Sequence, residues 1–214
     1  MKKKAAANWS FLDIHFVLDI VEKVLICYLF VAIVMRILPQ MQGNRAIIDG
    51  LLIVSEGAAA FLILTRRPTR NASLRVYDWT VTAIGTLFPL LVSPTTLEPL
   101  VPLWLCGVVM CLGFILQISA KLVLRRSFGL VPANRGVKIG GPYRFVRHPM
   151  YAGYLMTHVS FFLANPAILN FAIYVTALAA QCLRLLAEER LLKEDPAYTA
   201  FMARTRYRLV PFVF

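Results

Sequence analysis

The sequence predicts an all-α protein: a polytopic integral membrane bundle of about six transmembrane helices, closed by a C-terminal amphipathic helix. Three observations predict it. Of 214 residues 59% are hydrophobic and only 16% charged, well beyond the balance of soluble domains. The apolar residues gather into six long stretches, and a helix needs roughly 20 mostly apolar residues to cross a bilayer. The basic residues, finally, fall almost entirely on one side of those stretches.

The stretches are residues 15–38, Ala46–Thr65, residues 76–92, residues 100–124, Pro149–Ala164 and residues 166–186. The third and fifth are short. The last two are expected to form a tight hairpin through Asn165 and Pro166, a dipeptide that favours a turn. With the N-terminus on the cytoplasmic side, all of the 23 Lys and Arg residues fall in cytoplasmic segments except Lys23, Arg36 and Arg45. Basic residues are retained on that side of a membrane, so both termini are expected in the cytoplasm, in a bacterial inner membrane. The net charge of +12 is then explained by loops facing an anionic leaflet, with no need for nucleic acid.

Cys27, Cys106, Cys111 and Cys182 lie in apolar runs without metal-ligand or CxxC spacing, so neither a disulfide framework nor a metal site is expected. The N-terminal lysines precede a long apolar stretch with no small-residue cleavage site, and the first helix is expected to remain as an anchor. Ionisable or polar side chains inside spans are costly and face the bundle interior. Glu56 is therefore a candidate for a substrate-facing or helix-pairing role, Asp49 is less informative near its span's boundary, and Gln117 is a candidate for bonding between helices. His15 and His158 lack partner clusters and read as packing or interfacial residues, as do Met150 and Met156 in the packing sense.

One polar cassette interrupts the apolar pattern: GGPYRFVRHPMYAG, residues 140–153. Pro149 suits the first position of a helix, where its missing N–H costs nothing, which makes His148 the residue at or just before the cap. The helix's free amides and positive dipole end would favour an anion beside His148. Gly140, Gly141 and Pro142 make a turn that delivers Tyr143, and Gly153 keeps one helix face open to close approach. Arg144 and Arg147 add charge. Two readings fit equally: a pocket for a small ligand carrying a carboxylate, or an interfacial loop whose arginines meet lipid phosphates.

A second polar group follows the sixth stretch. In RLLAEERLL, Arg184 and Glu188 share a helical face and Glu189 lies on the next. Beyond it Tyr198, Phe201, Met202 and Thr205 recur at amphipathic spacing, a segment suited either to packing back over the site or to lying on headgroups.

On these residues the chain resembles the isoprenylcysteine carboxyl methyltransferases and their bacterial relatives, close to the phospholipid N-methyltransferases. The resemblance covers residues 124–211 and rests on GPYRFVRHPMYAG, the Glu-Glu pair of AEERLL, Tyr198 and the terminal YRLVP. It implies methyl transfer from S-adenosylmethionine, leaving S-adenosylhomocysteine, in a helical membrane protein without a Rossmann domain. Carried over by position, it implies a cofactor pocket lined by Arg135, Gly136, Val137, Lys138, Tyr143, His148, Pro149, Met150, Tyr151 and Glu188, with Arg184 facing the methyl acceptor. The spacer RLLKEDPA is two residues shorter than the family's, with Pro196 where a glycine-containing segment is usual.

The whole chain accordingly reads as one membrane domain, 1–214. Residues 1–115 serve as scaffold and lipid-facing acceptor half, and residues 116–214 hold the cofactor. The expected partners are membrane lipids and a lipophilic acceptor, with no obligate protein partner. That acceptor is a carboxylate of an isoprenylcysteine-like or other small lipid, or alternatively a phospholipid amine. A carboxylate would need no general base, whereas an amine must lose a proton. Two other classes compete: a transporter, which would spread polarity over several spans, and a sterol-type reductase holding a nicotinamide cofactor.

Overall fold

The computed structural model describes residues 14–65, 73–124, 132 and 136–214. Among the described residues seven α-helices run in chain order: α1 Ile14–Ile37, α2 Ala46–Thr65, α3 Val76–Leu87, α4 Leu103–Leu124, α5 Pro149–Ala164, α6 Ile168–Leu192 and α7 Pro196–Arg204. There is no strand among the described residues. The first six helices fall on the six apolar stretches. Three of them, α2, α4 and α6, are long and apolar enough to cross a membrane. Three of the six expected spans thus meet that measure, and the other three helices fall short of it for physical reasons that differ by helix. α1 is 24 residues long but carries Asp19, Glu22, Lys23 and Arg36. α3 and α5 have only 12 and 16 residues, short of the roughly 20 that a bilayer requires.

Apolar residues divide cleanly by face. On α4, Cys106, Met110, Gly113, Gln117 and Ala120 are buried, while Trp104, Val108, Leu112 and Ile115 are exposed. Both sets recur at three- and four-residue spacing, so the exposed stripe suits contact with acyl chains. α1 behaves likewise, burying Ile26, Ile33 and Ile37.

α5 is the most enclosed helix and packs principally on α4, as α3 does on α6. Glycines permit the α4–α5 approach. A Cβ on Gly153 would stand 2.6 Å from the Gly113 carbonyl oxygen, and one on Gly113 would stand 2.9 Å from that of Gly153. The open face expected at Gly153 is thus taken by a neighbouring helix. Across the same interface Gln117 links three helices. It accepts from Ser55 of α2 at 3.2 Å, donates to Thr157 of α5 at 3.2 Å and accepts from the buried Lys121 at 3.4 Å.

The turn between α5 and α6 contains Asn165 as expected, and its carboxamide oxygen accepts from the Thr95 amide at 3.0 Å. Asn170 exchanges bonds with Ser93 at 2.9 and 3.2 Å. Arg36 donates to Leu91 O at 2.6 Å, and Arg45 donates to the carbonyls of Thr95 and Leu97. The two arginines that broke the charge asymmetry therefore cap loop carbonyls. Lys23, the third exception, pairs with Asp19 at 2.8 Å.

Candidate active site

The cassette folds as its prolines and glycines dictate. Gly141 has a left-handed φ of +56°, and a Cβ there would lie 2.9 Å from a Val123 methyl. The following turn, Gly141–Arg144, buries Tyr143. His148 occupies the N-cap of α5 with φ −130° and ψ 61°, and Pro149 opens the helix. α7 starts on the same logic. Asp195 caps it by accepting from the Ala197 amide at 2.9 Å, with Pro196 at the first position.

The anion beside the α5 start is supplied by the chain itself. Glu189, 1% exposed, receives Arg147 Nη1 at 3.0 Å, faces His148 Nε2 at 3.3 Å and receives Arg208 Nε at 3.1 Å. The backbone repeats the connection, because the Arg147 and His148 amides donate to the carbonyls of Tyr207 and Arg208, each at 2.9 Å. Residues 207–208 are in this way fastened across the cap of α5. The amphipathic segment packs inward, Tyr198, Phe201 and Leu209 joining one hydrophobic cluster with Tyr143, Met150, Tyr151 and Leu185.

Glu188 points to a different neighbourhood. Its Oε2 accepts from the Tyr151 hydroxyl at 3.1 Å, and the Arg184 guanidinium lies 5.3 Å from the centroid of the same Tyr151 ring. The two residues that share a face of α6 thus meet through one tyrosine of α5. Tyr143 and Tyr198 flank this group. Burial, reinforced for Tyr143 by the Glu188 charge, raises its hydroxyl above the ordinary phenol value. Burial followed by the charges of Glu189 and Glu188 does the same for Tyr198, whose hydroxyl has no hydrogen-bond partner among the described residues.

Of the upstream positions, Arg135 lies outside the described residues. Gly136, Val137 and Lys138 form an irregular segment in which Val137 packs on the hydrophobic cluster and Lys138 is exposed. Pro149 and Met150 are buried. Tyr143, Met150, Tyr151 and Glu188 are therefore gathered into one place, and His148, which faces Glu189, lies edge-on to Tyr151 with ring centroids 5.7 Å apart.

Beside Arg184 a narrow cavity extends into the bundle, part of it open to the outside. Arg184 and Met150 line it together with apolar side chains such as Ile26, Phe30 and Ile63. Glu56 and His158 line it as well. His158 is stacked on Tyr174 with centroids 4.8 Å apart, the packing role expected of it.

Sequence reasoning missed two features. In the sequence Glu189 reads only as a neighbour of Glu188. Lys121, 1% exposed, counts in the sequence among the basic residues of the cytoplasmic side although it stands within the stretch 100–124. Its place in the apolar run before Leu122 marked it as internal.

The described helices thus combine three segments long and apolar enough to cross a membrane with a buried charge cluster at the start of α5 and a cavity lined by Arg184. The matched family is more particular. Residues 101–196 match the family model for phospholipid methyltransferases, a segment that takes in α4, the cassette, α5 and α6 with Arg184, Glu188 and Glu189. The match supports a membrane methyltransferase. A search among curated proteins found no match.

Proposed function

We propose that the chain is an integral membrane methyltransferase that uses S-adenosylmethionine to methylate the carboxylate of a lipophilic acceptor. The observation that carries this reading is the position of Arg184, which lines the apolar cavity while its guanidinium rests against the Tyr151 ring. The donor set fits the cofactor. Glu188 offers a carboxylate for its hydroxyl or ammonium groups, the unpartnered Tyr198 hydroxyl offers a further bond, and the Tyr143 and Tyr151 rings offer aromatic surface.

When bound, S-adenosylmethionine supplies a methyl group already activated by its positive sulfur. The chain's own part is to align the partners and exclude water. Arg184 holds the acceptor carboxylate through a charge-assisted, two-pronged hydrogen bond. Tyr151, bonded to Glu188, fixes the lateral position of both. The tail fastened over α5 closes the polar end, and the cavity receives the acceptor's hydrocarbon.

A second reading, methylation of a phospholipid amine, is favoured by the family whose model matches. Arg184 in the cavity wall favours a carboxylate, whereas Glu56 in the same wall would attract a protonated amine, so experiment must separate the two readings. The deciding experiment offers detergent-purified protein labelled S-adenosylmethionine with a prenylated cysteine carboxylate or with phosphatidylethanolamine. Label in a base-labile ester supports the carboxylate reading. Label on the phospholipid amine replaces it with the second.

A further inference from the structure

The geometry points to an acceptor with a second polar group, a hydroxyl partway along its hydrocarbon chain, received deep in the cavity by Glu56 and His158. This rests on the reading of the cavity as the acceptor site.

The cavity is apolar near Ile26 and Ile63 but not at its inner wall. Glu56, in the middle of α2, opens onto it, and so do Thr86 of α3 and His158 of α5. His158 is 5% exposed, and its Nε2 has no hydrogen-bond partner among the described residues. The same holds for the Thr86 hydroxyl and for the hydroxyl of Tyr174, whose ring stacks on His158. Three helices thus bring two unsatisfied polar atoms and a carboxylate to the wall of one cavity.

A plain hydrocarbon chain would leave these groups buried and unpaired, which is costly. A hydroxyl there donates to the Glu56 carboxylate and bonds His158 Nε2 at the same time. The reach is consistent with one molecule spanning both ends. Tyr151, beside Arg184, and His158 are two turns apart on α5, or about 10 Å along its axis. A carboxylate at Arg184 therefore carries its hydroxyl mid-chain.

The test is calorimetric titration of the detergent-purified full chain with octadecanoate and with monohydroxyoctadecanoates substituted at successive mid-chain positions. One mid-chain isomer is expected to bind about tenfold or more tightly than octadecanoate, the factor that a satisfied buried group is worth. Glu56→Gln combined with His158→Phe brings that isomer down to the affinity of octadecanoate, and Arg184→Ala weakens both acids alike. Equal or weaker binding of every hydroxy isomer overturns the inference, as does failure of either acid to bind. Selective binding of one isomer without methyl transfer to any acceptor keeps the inference and overturns the proposed reaction.

Discussion

Glu189 holds His148: its Oε1 lies 3.3 Å from His148 Nε2, tying α6 to the cap of α5, while Arg147 and Arg208 approach the same carboxylate. Removing one member of a buried charge cluster leaves the others uncompensated, at a cost of about 3–5 kcal/mol. Glu189→Ala is expected to lower the thermal unfolding midpoint in detergent sharply. An unchanged midpoint would show that the cluster is not a structural clamp.

Glu188, one residue earlier, is expected to behave oppositely. Its carboxylate accepts a hydrogen bond from Tyr151 and is only half-buried. Glu188→Ala should keep the unfolding midpoint near that of the parent and weaken S-adenosylmethionine binding about tenfold or more. Calorimetry on both proteins checks this, and undiminished affinity would remove Glu188 from the pocket.

Arg184→Ala should spare cofactor affinity and lower turnover on the order of 100-fold, because alignment of the acceptor is lost while the cofactor stays bound. Arg184→Lys should restore part of the rate but not the two-pronged geometry. Equal loss of binding and turnover would instead make Arg184 part of the cofactor pocket.

Gly153→Ala places a methyl 2.6 Å from both the Gln117 side chain and the Gly113 carbonyl. Overpacking of this kind costs about 1–3 kcal/mol. The variant should unfold earlier than the parent, and a midpoint equal to the parent's would show that α4 and α5 can move apart freely.

The alkaline limb of stability has a defined sign. Tyr143 and Tyr198 are both raised above their ordinary value of 10.0 by burial and nearby carboxylates. The folded chain thus retains these protons more tightly than the unfolded chain does. Their contribution is complete below that ordinary value and is lost as pH climbs above it toward the raised native values. In a series of melts at rising pH, Tyr143→Phe and Tyr198→Phe together should blunt the alkaline fall. An identical fall in the double variant would assign it to other groups.

Local signals made much of this legible. Pro149 fixed the start of α5, the apolar periodicity of α4 separated its buried and exposed faces, and Asn165 announced the turn that follows. Gln117 bonds between helices, as its position inside a span suggested. What stayed hidden depends on distant pairing. Nothing local in Glu189 says that it will meet Arg147, 42 positions earlier, and Arg208, 19 later. Membrane crossing is likewise a matter of length and charge together. α1 satisfies the first and fails the second, because Asp19, Glu22 and Lys23 lie within one turn or so of each other.

The fastening of residues 207–208 across the α5 cap bears on how the protein is made. A growing polypeptide leaves the ribosome in order, so α5 and α6 are delivered to their destination before Tyr207 and Arg208 exist outside the tunnel. During that interval the amides of Arg147 and His148 and the carboxylate of Glu189 lack the tail that later covers them. Nascent chains stalled before Tyr207 would present this end of the bundle open to proteases, and the covered arrangement forms only once residues 207–208 have emerged and folded back.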